Sequence, residues 1–266
     1  MEKLPKLRDN FKLMWHYREL LWNLAYREIN QRYKQSVLGY AWVILNPLFQ
    51  LIVMNFVFSV VLKVPSIGVP FIIFLTVGLL PWNLFLNSLT SSTNALVSNS
   101  NLITKIYFPR EILVYSTIIA KIVDFLFSCI VLVAFFIIFH TILTPMILWF
   151  PLIFAIQMIF TVGLSLLLAS FNLFYRDIQY LLFLILTLWM YLTPIMYPIE
   201  IIPVRYRFIF SLNPMSVIIN AYRQTILGGG SPNFSSLFIA LIMSLFVLML
   251  GFYVFKKNEG KFADYV

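Results

Sequence analysis

Six apolar stretches dominate the sequence, at roughly 37–62, 70–92, 112–140, 146–174, 179–197 and 234–255. A helix crossing the hydrocarbon core of a bilayer needs about 20 mostly apolar residues. Backbone polar groups facing lipid must be satisfied within the chain, which selects helices for runs of this kind. The expected fold class is therefore an all-α polytopic membrane protein with six transmembrane helices. Composition agrees: 61% of the 266 residues are hydrophobic and 11% are charged, against about 45–50% and about 25% in soluble domains. A soluble enzyme, a disordered chain and a soluble nucleic-acid binder are excluded. The single cysteine, Cys129, lies in an apolar run; it rules out an internal disulfide and reads as a packed small residue.

Residues 1–36 carry eight Lys/Arg and four acids with no apolar run, so they are read as a retained segment and not a signal peptide. The net charge of +9 is explained by where the cations fall. In the six-span arrangement fourteen of the 19 Lys/Arg lie on the side of the N-terminal segment, of 93–111, of Arg176 and of the C-terminal Lys256, Lys257 and Lys261; four lie on the other side, and Lys121 lies within a span. Cations accumulate on the cytoplasmic side, so both termini are expected in the cytoplasm of a multi-pass protein of the cytoplasmic (inner) membrane. Pro47 and Pro81 sit inside the first two spans, where proline frees a carbonyl and bends the helix.

Two further stretches are distinctive. Within 11–34, Lys12, His16, Glu19, Asn23, Arg27, Asn30 and Lys34 form one helical stripe, and Phe11, Trp15, Trp22, Tyr26, Ile29 and Tyr33 an adjoining aromatic face. This pattern predicts an N-terminal amphipathic helix in the membrane interface, either a simple anchor or a platform for a cytoplasmic partner. Residues 198–233 are too apolar for a solvated loop, yet too short and too broken for a span. They predict two short external re-entrant helices over 200–227, interrupted near Pro214 and ended by Gly228-Gly229-Gly230.

Motifs for chemistry are missing. There is no G-x-x-x-x-G-K-[ST], no H-E-x-x-H and no G-x-S-x-G, and the two histidines are His16 and His140. No catalytic residue and no metal site is expected. Asn233-Phe234-Ser235 formally matches a glycosylation acceptor, a match common by chance. Two ionisable residues lie deep in a span, Lys121 and Asp124, three apart on one helix face; they read as an intramembrane pair. Asn46, Asn55, Asn83, Asn87 and Gln157 either join helices or line a wet path. The 18% aromatic content suits interfacial belts and equally the walls of a sugar path.

The chain resembles the membrane permease subunit of bacterial ABC exporters of polysaccharide (O-antigen, teichoic acid and capsule). The resemblance rests on the run Arg32 to Trp42 with Asn46-Pro47, on Phe108-Pro109-Arg110-Glu111, on Arg176-Asp177, and on Pro194-Ile195-Met196-Tyr197-Pro198 followed by Pro203, Asn213-Pro214 and Arg223, in order over about 190 residues. It implies a homodimer, two copies of a P-loop ATPase subunit that binds ATP and Mg, a lipid-linked glycan substrate, membrane lipid around the spans, and no cofactor in this chain and no nucleic acid. It implies ATPase contacts at Arg27, Lys34, Lys105, Phe108 and Arg110, a translocation pathway near Tyr40, Trp42, Asn46, Trp189 and Tyr191, and an external gate at Tyr197, Asn213, Pro214 and Arg223. The alternatives are a membrane-embedded envelope-assembly transferase, which predicts clustered acids near one leaflet where only Glu200 is found, and a stand-alone carrier or channel, which predicts transport without an ATPase. Within the exporter class, drug or haem exporters of related architecture are a further alternative, against which the external re-entrant stretch and the Pro194 to Pro198 motif favour polysaccharide.

Overall fold

The computed structural model describes residues 15–34, 36–65, 68–141, 144–228 and 230–265. Phe11, Lys12 and Gly229 fall outside the described residues, as do the side chains of Arg32 and Tyr33. Every regular element among those described is helical. In chain order they are α1 (Arg18–Tyr33), α2 (Ala41–Asn55, extended by π-helical turns Phe56–Val61), α3 (Phe71–Thr93), α4 (Ala95–Ser98), α5 (Ser100–Lys105) and α6 (Glu111–Ile138). They continue as α7 (Phe150–Phe174, led in by a 3-10 turn at Pro145–Trp149), α8 (Ile178–Tyr191), α9 (Val204–Ser211), α10 (Pro214–Ile226), α11 (Phe234–Glu259) and α12 (Phe262–Tyr265).

Five stretches are long and apolar enough to cross a membrane: Ala41–Val61, Phe71–Thr93, Glu111–Ile138, Pro145–Phe174 and Phe234–Glu259. The remaining expected span, 179–197, holds a shorter apolar helix. There the helix α8 has 14 residues, about 21 Å at 1.5 Å per residue, against the ~30 Å of a bilayer core. It stops at Tyr191 because Pro194 and Pro198 follow, and proline bars the preceding residues from helix. Expected span 37–62 is helical from Ala41.

The helices share one bundle with α3 at its centre, buried over most of its length. α7 and α11 lie backbone to backbone. A Cβ at Gly163 would stand 2.6 Å from the Leu248 backbone, and one at Gly251 would strike the Gly163 carbonyl. Small residues permit such close approach between apolar helices, where lipid tails supply no competing hydrophobic drive.

At one end of the bundle, here the near end, Leu24 of α1, Ile103 of α5, Ile112 of α6, Leu173 of α7, Phe255 of α11 and Phe262 of α12 join one apolar cluster. The N-terminal helix and the end of α12 therefore lie at the same end. α8 begins there, its Gln179 N–H donating to Asn172 Oδ1 (3.2 Å), and runs toward the opposite, far end. α1 is two-faced, with Trp22 and Tyr26 exposed, as is Trp15 just before it, and Leu24, Ala25 and Ile29 buried. Ile29 was expected on the aromatic face; it is turned inward because it continues the Leu24-Ala25 stripe that packs on α6.

Two short helices do occupy the 200–227 region, α9 and α10, broken at Leu212-Asn213. Gly228 (φ +86°) and Gly230 (φ +117°) end α10 in backbone conformations that favour glycine.

Candidate functional site

At the near end the segment 94–110 is tied down on both sides. The Arg27 guanidinium of α1 donates to Asn99 Oδ1. The Arg110 backbone N–H donates to Glu259 Oε1 (3.0 Å) at the end of α11. Next to it Lys256 Nζ bridges Glu111 Oε1 (2.7 Å) and Glu259 Oε2 (2.9 Å), and both Lys256 and Glu111 are almost fully covered. Such a cluster holds only while complete, since removing the cation leaves the enclosed Glu111 carboxylate beside a second, partly covered one.

The residues assigned to partner contact divide accordingly. Lys34 and Lys105 are exposed. Arg27 is engaged within the chain, and the Arg110 guanidinium lies 5.3 Å over the Tyr107 ring. Phe108 is turned inward, 3% exposed, and anchors the segment in the apolar cluster instead of presenting a ring to a partner. The outward residues are Ile106 and Tyr107, the latter 86% exposed. Neither was singled out from the sequence; an apolar pair following a basic residue at a helix end is the only signal they give.

A cavity of about 460 Å³ opens between α2, α3 and α6. Trp42 and Asn46 line it, as do Gln50, Asn83, Asn87, Lys121 and Asp124. Lys121 Nζ and Asp124 Oδ2 stand 3.9 Å apart, and Asn83 Nδ2 donates to Gln50 Oε1 (3.0 Å). Two of the expected pathway residues and the intramembrane pair thus share one site. The other three lie elsewhere. Tyr40 donates to Asn30 Oδ1 (2.7 Å) at the near end. Tyr191 is exposed on the bundle surface. Trp189 packs edge-on against Trp82, Phe85 and Phe160 at centroid distances of 6.4, 5.4 and 6.1 Å.

At the far end the expected gate residues form a lock. Asn213 caps α10, accepting from the Met215 N–H (3.1 Å), with Pro214 in the first turn where its missing N–H costs nothing. The same carboxamide accepts from Trp189 Nε1 (3.0 Å) and donates to Thr193 Oγ1 (3.0 Å). Tyr197 donates to the Tyr191 carbonyl at the end of α8 (2.8 Å). Arg223 of α10 is 7% exposed. Its guanidinium donates to the carbonyls of Pro194 and Ile195, each at 2.5 Å, and covers the Phe74 ring at 3.6 Å. Gly78 of α3 makes room for it: a Cβ there would stand 2.7 Å from Arg223 Nη2. Behind the lock, fully buried Gln157 of α7 donates to the carbonyl of Pro81 within α3 (2.8 Å) and accepts from Tyr222 Oη (3.0 Å). Gly78 and Tyr222 carry no recognisable sequence signal; they are read only from the contacts.

Residues 19–227 match the family of ABC-2 type transporters. The chain is a member of that family. Among its relatives is the O-antigen export system permease protein RfbA of Klebsiella pneumoniae, 32% identical over 249 residues, spanning 92% of this chain and 94% of the relative. The protein of the same name from Myxococcus xanthus is 30% identical over 253 residues, covering 94% and 96%. The polysialic acid transport protein KpsM of Escherichia coli is 24% identical over 244 residues, covering 89% and 92%. In this ABC-2 family member the far-end lock spans the last part of the family region, α10 ending at Ile226. α11 and α12 lie beyond it yet pack into the near-end cluster.

Proposed function

We propose that this chain is the transmembrane permease subunit of an ATP-driven exporter of lipid-linked polysaccharide, of the O-antigen, teichoic acid or capsule type, in the bacterial cytoplasmic membrane. The observation that carries this reading is the end-to-end similarity to O-antigen export permeases, over 92–94% of the chain. The chain has no ATPase motif, so ATP and Mg belong to a separate P-loop subunit, two copies of which serve a permease homodimer.

The bundle closes as six crossings. α8 and the turns from Leu192 to Pro198 carry the chain to the far side, α9 and α10 dip into the outer leaflet, and both termini are cytoplasmic, in keeping with the cation count. The near end is the docking face: Lys105, Ile106 and Tyr107 meet the ATPase, and Lys34 flanks them. When ATP closes the ATPase pair, force on 94–110 passes through Arg27–Asn99 to α1 and through the Glu111–Lys256–Glu259 cluster to α11, a rigid-body coupling. The far-end lock, with Tyr197, Asn213, Pro214 and Arg223, is the external gate it moves. Tyr40, Trp42, Asn46 and Tyr191 border the glycan's way, Trp189 holding the gate from behind.

Deleting the gene in its native cell tests the reading. The expected result is loss of surface glycan with lipid-linked glycan accumulating inside, restored by the gene in trans. Unchanged surface glycan would refute it.

A further inference from the structure

We propose that the end of α11 and the helix α12, through Glu259 and Phe262, form a seat under the segment 94–110 and set how much glycan is exported per ATP hydrolysed. This inference deepens the export function above and rests on it. Glu259 and Phe262 are positioning residues: neither belongs to the outward face of the segment or to the far-end lock, and both lie beyond residues 19–227 of the family match. The segment's short helix α5 has two sides. Asn101, Thr104 and Lys105 are exposed, whereas Ile103 is buried in the near-end cluster together with Phe262, where α12 packs against α5. Phe262 is itself fully buried. Its ring stands edge-on to Phe255 of α11 at 5.0 Å and lies 6.1 Å from Phe174 of α7. Tyr265 meets the same Phe174 ring edge-on at 4.9 Å. Four residues do not sustain a helix alone. α12 is held by these rings, and just before it Asn258 Nδ2 donates to Ser170 Oγ of α7 (3.3 Å).

The second support is electrostatic. The segment runs out at the N-terminus of α6, where the helix dipole favours an anion. Glu259 supplies one from α11, accepting the Arg110 N–H at 3.0 Å. Lys256 lies in the last turn of α11, where the dipole of that helix favours a cation. The segment therefore bears on Phe262 in its middle and on Glu259 at its exit. Close-packed side chains transmit displacement with little give. A push on the outward Lys105, Ile106 and Tyr107 carries Ile103 onto Phe262, and with it the ends of α7 and α11. Without the Phe262 ring the segment keeps its ties at Arg27 and Arg110 and its outward face. The ATPase still docks, and the void absorbs the push.

The test uses the complete complex of permease and ATPase. Two quantities are measured for each variant: surface glycan on growing cells, and ATP hydrolysis per permease by the complex purified from those cells. Phe262→Ala and Glu259→Ala should each lower export per ATP at least about fivefold, the low end of coupling between sites, with hydrolysis within about twofold of the parent. The ATPase should still copurify in equal amount. Phe262→Leu, which refills most of the void, and Glu259→Gln, which keeps an acceptor for the Arg110 N–H, should recover part of the ratio. Asp264→Asn, an exposed neighbour, should leave it unchanged. A residue that only holds the fold together would lower the amount of complex, taking hydrolysis and export down in proportion. An unchanged ratio in either alanine variant therefore overturns the proposal, as does loss of the ATPase from the complex. If Phe262→Ala does not accumulate, Glu259→Ala decides alone: its side chain is only partly covered, and its loss leaves Lys256 paired with Glu111. A parent chain that purifies without an ATPase and is dispensable for surface glycan fails the export function itself. A parent that exports while the ratio stays fixed fails only the seat.

Discussion

Replacing Gly78 by alanine should destabilise the protein, and the same change should become stabilising once Arg223 is methionine. The added methyl carbon would stand 2.7 Å from Arg223 Nη2, and the guanidinium must swing away. That loosens a charge-assisted hydrogen bond to the Ile195 carbonyl, worth about 1.5–3 kcal/mol. Alanine returns about 1 kcal/mol of helix propensity. The net loss is on the order of 0.5–2 kcal/mol by that subtraction. Arg223→Met alone orphans two carbonyls at about 1–3 kcal/mol each, partly offset because a buried cation is removed. With the guanidinium gone, the nearest remaining atom is the Ile195 carbonyl at 3.4 Å, so Gly78→Ala keeps its propensity gain of up to about 1 kcal/mol. The assay is the apparent melting temperature of the detergent-purified protein across the four-member cycle. A lowered melting temperature in the native background with a raised one in the Arg223→Met background is expected. Equal shifts in both backgrounds would show that Gly78 and Arg223 do not act together.

Three further outcomes follow from other contacts. Gly251→Val should abolish the folded protein, since its side chain drives into the α7 backbone and costs beyond the ~1–3 kcal/mol of ordinary overpacking; monodisperse elution on size exclusion would contradict this. Lys256→Met leaves the almost fully covered Glu111, beside the partly covered Glu259, without its cation and should cost up to about 3–5 kcal/mol, with Glu111→Gln/Lys256→Met recovering part of it in a thermal-unfolding cycle. Lys105→Glu with Tyr107→Ala should preserve expression and thermal stability, because both side chains are exposed, while export falls to background; normal export would remove this face from ATPase docking.

Much of the fold could be read along the chain because bilayer thickness turns composition into geometry. Runs of twenty apolar residues announce α2, α3, α6, α7 and α11, and Asn213-Pro214 marks the start of α10 through cap and proline chemistry. The shortness of α8 was obscured because its apolar run continues past Tyr191, and hydropathy does not register where proline stops the helix. The inward turn of Phe108 and Ile29 depends on neighbours distant in sequence, α11 and α6, which a local period cannot name. The site was legible in parts. Trp42, Asn46, Lys121 and Asp124 were recognisable as polar or amphipathic residues at membrane depth, but their convergence on one cavity is a property of packing. Trp189 and Asn213 were each singled out, for the path and for the gate, and the structure joins them by one hydrogen bond. Gly78 carries no signal at all until Arg223 is seen lying against it.

A permease half of an ATP-driven exporter works only with a nucleotide-binding partner. The most direct measurement is gentle purification of the chain from its native membrane, with its companions identified by mass spectrometry. The expected result is a P-loop ATPase in equal amount with the permease, retained after size exclusion. A chain that elutes without a nucleotide-binding partner in several mild detergents would contradict it.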